Sequence, residues 1–339
     1  MKYFTGLDVS LATTFVSIVD DKNNIIKEGV VKTDAEEIFE FLEIKKFPKQ
    51  KIGIESGQLS ISLCKSLSAK GLDVICVDAR HMAAALSARI NKNDKNDARG
   101  IANMIRVDCY KEVAIKSDFS CQMKMLLGSR RQIVNNKTQI CGTIRGLLKI
   151  YGIRITARSS TKGFEDQVVE KIARIATTSR NSINALLSLL SAIKKSLSEL
   201  DAMLIQLGKN DQDCQLLTTV PGVGVITAMT YKATIDEENR FKKSSSVGAY
   251  IGLTPRQYAS GEVNRQGHIS KMGAKHTRTI LYEAAQSLLI TCKKQSKLKS
   301  WGLKIAKKKG RKKAIVALAR KMAVIMHRML IDKTEFCYS

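Results

Sequence analysis

Across residues 183–207 the apolar side chains Ile183, Leu186, Leu190, Ile193, Leu197, Leu200, Leu204 and Leu207 recur in a strict alternation of three and four. This is the a/d seam of a long amphipathic helix, which must lie against another helix to remove that stripe from water. A partner stands upstream. Leu126, Ile133, Ile140 and Leu147 are spaced seven apart, as are Leu127, Val134, Cys141 and Leu148. Residues 116–210 are therefore expected to form a coiled-coil and helical linker region, pairing within the chain or across a dimer. Such stripes are packing surfaces and carry no chemistry of their own.

The residues before the seam read as alternating strands and helices. Strands are expected over 3–9, 14–19 and 25–31, the last following an Asn23-Asn24 turn. A helix over 34–43 begins on the Thr33/Asp34 cap signal. A short buried strand (52–55), a helix (60–69) ended by Gly71, an apolar strand (72–77) and helices over 80–88 and 97–107 follow. Three strands and then alternating helix and strand is the order of an RNase H-like domain. Periodicity alone supports only an α/β class. After residue 210 the pattern is mainly helical with glycine-rich interruptions.

A chain of 339 residues holds about two domains, and 44% apolar content is enough for buried cores. No apolar run approaches the ~20 residues of a membrane span. Asp8 falls where a signal peptide would carry its apolar stretch. The eight cysteines form no CxxC pair and no cluster of zinc spacing, so they read as reduced core residues. A cytoplasmic protein is the expectation.

Charge narrows the class further. Residues 1–110 carry 16 Lys/Arg against 15 Asp/Glu, whereas residues 111–339 carry 41 against 16. From residue 284 to 331 there are 14 Lys/Arg and no acid. A solubilising surface would mix both signs, so a polyanion is the expected partner, with Lys308, Arg311 and Lys312 in the densest stretch.

Against this background four carboxylates stand out. Asp8 and Glu55 end apolar strands, and Asp94 and Asp97 lie three apart at a helix start. Strand-end carboxylates plus an i,i+3 pair can hold two divalent cations, with hard oxygen ligands suited to Mg²⁺ or Mn²⁺. Two such ions clamp the attacking and leaving oxygens of a phosphodiester. Singly, Asp94 and Asp97 fit plain helix N-caps, and Asp8 fits a strand-end turn. The segment Gly6-Leu7-Asp8-Val9-Ser10 also resembles the first phosphate loop of actin-like and sugar-kinase ATPases, but no second glycine-rich copy follows.

Farther along, Val220-Pro221-Gly222-Val223-Gly224 between two helical runs has the form of a helix-hairpin-helix. Gly222 and Gly224 would let the backbone approach a phosphate at a helix N-terminus; an ordinary αα-turn has the same pattern. Next come Gly252-Leu253-Thr254-Pro255-Arg256, Ser260-Gly261 and Ser270-Lys271-Met272-Gly273. Ser260-Gly261 is a turn, and a turn serine is usually only that. Arg256, Arg265 and Lys271 around it are charges of the kind that hold a phosphate.

Together these residues resemble the insertion sequence 110 family of transposases, DEDD-type recombinases related to site-specific DNA invertases. The resemblance covers nearly all of residues 1–330. It implies a RuvC-like, RNase H-like catalytic domain (1–115) with Asp8, Glu55, Asp94 and Asp97 as its acidic tetrad. It further implies a helical transposase domain (211–335) in which Ser260 is the nucleophile that joins a DNA 5′ phosphate. By the same resemblance the tetrad binds Mg²⁺ or Mn²⁺, and the partners are donor and target DNA, a structured non-coding guide RNA and further copies of the chain, as a homodimer or homotetramer. The alternative is a metal-dependent nuclease that resolves Holliday junctions by hydrolysis.

Overall fold

A computed structural model describes residues 2–87, 93–159, 161 and 163–338. The last residue of the helix expected over 80–88 lies outside this set. The chain divides into two compact units, Met1–Lys116 and Ser117–Ser339.

The first unit contains β1 (Tyr3–Val9), β2 (Thr13–Asp20), β3 (Ile25–Lys32), α1 (Ala35–Phe41), β4 (Gln50–Glu55), α2 (Ser60–Ala69), β5 (Asp73–Val77), α3 (Ala79–Leu86) and α4 (Asp94–Arg106). One sheet has the order β3-β2-β1-β4-β5. β1 pairs antiparallel with β2 and parallel with β4, and β4 runs parallel to β5. This mixed sheet is compatible with the expected RNase H-like fold. Strand alternation sends Leu7, Ile52, Ile54 and Cys76 into one core with Ile38 of α1 and Leu63 and Leu67 of α2. Ile75 and Val77 point the other way, into a core with Met82 of α3 and Ile101 and Ile105 of α4. Helices therefore cover both faces.

Helix α4 begins three residues before the expected position. The Asn93 side chain accepts from the Asn96 amide at 2.8 Å, so the helix is capped there and Asp94 and Asp97 both fall in its first turn. Asp34 caps α1 as expected, accepting from the amides of Glu36 and Glu37.

The second unit contains α5 (Asp118–Leu148), α6 (Gly163–Ile172), α7 (Thr177–Lys209), α8 (Gln212–Thr218), α9 (Val225–Ile235), α10 (Ser246–Tyr250), β6 (Pro255–Ser260), β7 (Val263–Ile269), α11 (Lys275–Gln286), α12 (Lys297–Lys309) and α13 (Arg311–Asp332). It is mostly helical, and β6 and β7 form a two-stranded antiparallel hairpin. The two long helices pack against each other within the chain. Arg130 of α5 meets Asp201 of α7 at 2.5 Å, and Tyr151 just beyond α5 hydrogen-bonds Ser179 at the start of α7, so they run antiparallel. Ile140, Cys141 and Leu148 of the expected stripes pack with Ile183 and Leu190, joined by Ile144, whereas Leu147 and Leu207, also on the stripes, are exposed, so the contact is narrower than the seam implies. At the other end Met123, Leu127 and Leu204 enter a core shared with α8, α9, α11 and α13. Tyr231 of α9 is fully buried there and donates to the Ala323 carbonyl at 2.5 Å.

Candidate active site

The position of the four carboxylates follows from strand parity. β1 and β4 are parallel neighbours in which Gly6 lies opposite Gly53 and Leu7 opposite Ile54. Side chains two apart share a face, so Asp8 follows Gly6 and Glu55 follows Gly53 onto the face covered by α4. The glycines let α4 lie directly on the strands. A Cβ on Gly6 would stand 2.0 Å from the Ala98 carbonyl oxygen and 2.6 Å from the Ala102 nitrogen, and one on Gly53 would strike Ile101 and Ile105. Because α4 starts just beyond this contact, Asp94 and Asp97 arrive where Asp8 and Glu55 end their strands. All four line one cleft of about 490 Å³.

Ser10, Ser56, Gln58 and Ser60 add polar groups to the wall, and apart from Ser10 in the Gly6–Ser10 segment no sequence signal marked them. Ser60 Oγ donates to the Gly57 carbonyl at 2.9 Å, and Ser56 Oγ accepts from the Ala79 amide at 3.1 Å. Among the described residues no three His, Cys, Asp or Glu stand close enough together to hold a metal ion. The donor set is nevertheless all hard oxygen, which fits a divalent cation of the Mg²⁺ class and not a softer one. Four negative groups sharing a cleft repel one another, so side-chain closure around a cation is what that fit requires.

α4 is held on the sheet from its outer side as well. Arg99 donates to both carboxylate oxygens of Glu28 on β3, and Ser17 donates to the same group at 2.9 Å. Burial raises the Glu28 carboxyl, but these hydrogen bonds and the Arg99 and Lys95 charges outweigh it and hold the group below its ordinary value.

In the second unit Ser260 ends β6 and pairs with Val263 across a two-residue Gly261-Glu262 turn. It is exposed at the tip of the hairpin. Arg256 on β6 and Arg265 on β7 are exposed on the same hairpin, with Arg265 opposite Tyr258. The turn at Ser260-Gly261 is expected, but the two strands that flank it are not: residues 256–260 and 265–268 are exposed and mostly polar, so no apolar alternation marked them. Its base joins two motifs. The Ser270 amide donates to Thr254 O at 2.8 Å and the Lys271 amide to Gly252 O at 3.1 Å. Arg278 is engaged in this base, donating to the carbonyls of Ile251 and Met272.

The two hairpin-turn glycines separate in role. Gly222 has φ +87°, and a Cβ there would stand 2.5 Å from the Ala284 carbonyl oxygen and 2.9 Å from the Leu288 nitrogen. It is needed for packing against α11 and the π-helical turn Ser287–Thr291 that continues it. Gly224 is exposed, has open space and caps α9, whose first amides have no side-chain acceptor at the cap. Lys308 lies on α12 and Arg311 and Lys312 on α13, all exposed.

Comparison with known proteins finds matches over both units of the chain. The family model described as "Transposase IS116/IS110/IS902 family" matches residues 214–300, and DEDD_Tnp_IS110, described as "Transposase", matches residues 5–153. The transposase for insertion sequence element IS1111A of Coxiella burnetii is 31% identical over 250 residues, 73% of this chain and 68% of that protein. The transposase for insertion sequence element IS1328 of Yersinia enterocolitica is 26% identical, covering 62% and 63%. A pilin gene-inverting protein of Moraxella bovis is 25% identical over 42% of this chain and 45% of its own length.

Proposed function

The chain belongs to the IS110 family of transposases, and on that premise we propose that it cuts and rejoins DNA strands through a phosphoserine intermediate on Ser260. The observation that supports a phosphoryl-transfer site most directly is the meeting of Asp8, Glu55, Asp94 and Asp97, from three separate elements, in one cleft. These four residues would hold Mg²⁺ or Mn²⁺. When bound, such an ion supplies Lewis acidity toward a phosphoryl oxygen.

Ser260 Oγ attacks phosphorus from the exposed hairpin tip. The Oγ–P bond forms, the P–O3′ bond breaks, and the serine proton ends on the 3′ oxygen. Arg256 and Arg265, on the same hairpin, offer guanidinium donors to the non-bridging oxygens. The new Oγ–P ester conserves the energy of the broken P–O3′ ester, so the 3′ hydroxyl of another strand can attack phosphorus, form a new P–O3′ bond and return the proton to Ser260 Oγ without ATP. The reading includes DNA as substrate, a structured non-coding RNA from the same element as guide, and assembly as a homodimer or homotetramer. Assembly through α5 and α7, as a coiled coil between copies, is supported by Met125, Leu189 and Met203, which remain at least half exposed on those helices.

The test is a stopped reaction resolved under denaturing conditions. The wild-type chain should remain covalently attached to DNA, and Ser260→Ala should lose both the adduct and strand exchange while still binding DNA. Cleavage that persists in Ser260→Ala without an adduct would replace this reading with that of a metal-dependent, junction-resolving hydrolytic nuclease.

A further inference from the structure

A groove of about 1010 Å³ lies between the base of the β6–β7 hairpin and one face of α13. Steps of four along α13 bring Lys312 and Lys313, then Val316 and Ala317, then Arg320 and Lys321, then Val324 onto the groove wall. Leu253 and Ile269 from the hairpin base extend the apolar floor, and Lys271 adds a further cation to the rim. Among the described residues no Asp or Glu lines the groove. At one end stands Trp301 of α12, half-buried, with Lys321 Nζ 4.4 Å from the centre of its ring.

Cations above an apolar floor that carries an aromatic ring match one kind of polyanion in particular. A duplex presents phosphates but hides its base faces in the stack. An unpaired strand presents both, and stacking of its bases on an aromatic ring adds to phosphate pairing without requiring a particular sequence. An acidic peptide would satisfy the rim but bring little flat apolar surface to the floor.

We propose that this groove holds an unpaired nucleic-acid strand, its phosphates on Lys271, Lys312 and Arg320 and a base stacked at Trp301. The proposal rests on the reading of the chain as a DNA-processing recombinase and specifies where that protein takes a strand that is not base-paired.

Trp301 is the only tryptophan in the chain, so its emission reports on the two clefts it borders, this groove and a smaller one formed with Ser296, Lys304 and Tyr338. The full chain is titrated with end-labelled oligo-dT and oligo-rU of about ten nucleotides, with a duplex of equal length and with polyglutamate, following both label anisotropy and Trp301 emission. Both single strands should bind and quench Trp301, and the stronger of the two arms distinguishes DNA from RNA as the occupant. The duplex should bind without quenching at matched occupancy. Trp301→Ala should weaken single-strand binding roughly 5- to 150-fold, and Trp301→Phe should restore most of it. Single-strand binding with unchanged Trp301 emission overturns the proposal but leaves the recombinase reading intact. Equal quenching by duplex or polyglutamate overturns the unpaired-strand assignment. Failure of all three nucleic acids to bind removes the recombinase reading and this proposal together.

Discussion

Arg99 donates from Nε to one oxygen of Glu28 at 2.5 Å and from Nη2 to the other at 2.7 Å. The pair ties α4, which carries Asp94 and Asp97, to β3, two strands away from the β1 strand that carries Asp8. Glu28 is mostly buried and Arg99 about one-third exposed, so the bridge sits between surface and core.

Removing the carboxylate should therefore loosen the cleft without touching it. Glu28→Gln is expected to cost about 1.5–3 kcal/mol, the usual range for a hydrogen bond to a charged group. Because the Glu28 carboxyl is held below its ordinary value of 4.5, its contribution is present above that value and is lost as pH falls through the folded-state value. Urea denaturation of the wild type and Glu28→Gln should thus differ near neutral pH and converge in acid. An unchanged difference in acid strong enough to protonate the carboxyl in both folded and unfolded chains rules out this linkage.

Gly6→Ala should be far more damaging than its single added methyl suggests, because that methyl meets the backbone of α4 and not a movable side chain. Overpacking of this kind costs about 1–3 kcal/mol or more, and strand exchange should fall with it. Gly57→Ala in the same cleft is the control, since a Cβ there meets nothing nearer than 3.9 Å. Equal stability of the two variants would show that α4 does not depend on this close approach.

Asp8→Asn, Glu55→Gln, Asp94→Asn and Asp97→Asn should each abolish strand exchange and lower Mn²⁺ binding, read from the paramagnetic resonance of free Mn²⁺, while DNA binding persists. Full strand exchange in two of these variants, or in excess chelator, would remove metal from the reaction.

The exposed cluster Lys307-Lys308-Lys309 and Arg311-Lys312-Lys313 joins the end of α12 to the start of α13. DNA affinity should fall steeply with salt, at a slope of about 0.7–0.9 for each phosphate neutralised. Changing all six residues to Gln should reduce that slope by several units. An unaltered slope means the cluster is solvated surface.

The order of amino acids by itself determined the local elements. β-rich and apolar runs marked the five strands of the first unit, the Asp34 cap marked α1, and the three-four alternation marked α7, because each depends on residues a few positions apart. It also placed Asp94 and Asp97 at a helix start, missing only that Asn93 caps the helix three residues sooner. The seam could not say whether α5 and α7 meet in one chain or between two. The Arg130–Asp201 and Tyr151–Ser179 contacts, between residues 71 and 28 positions apart, join the two helices within one chain. The strands of the β6–β7 hairpin, though not its Ser260-Gly261 turn, escaped notice because residues 256–260 and 265–268 are exposed and leave no hydrophobic period to read. Only tertiary structure brings Asp8 and Glu55 onto the α4 face, through the Gly6–Gly53 register and the absence of two Cβ atoms. The groove beside Trp301 likewise joins a hairpin to a helix some fifty residues farther on. Helix and strand signals are local, whereas a cleft depends on which surfaces pack together after the chain has closed its long loops, and that is decided by register and volume across the whole core.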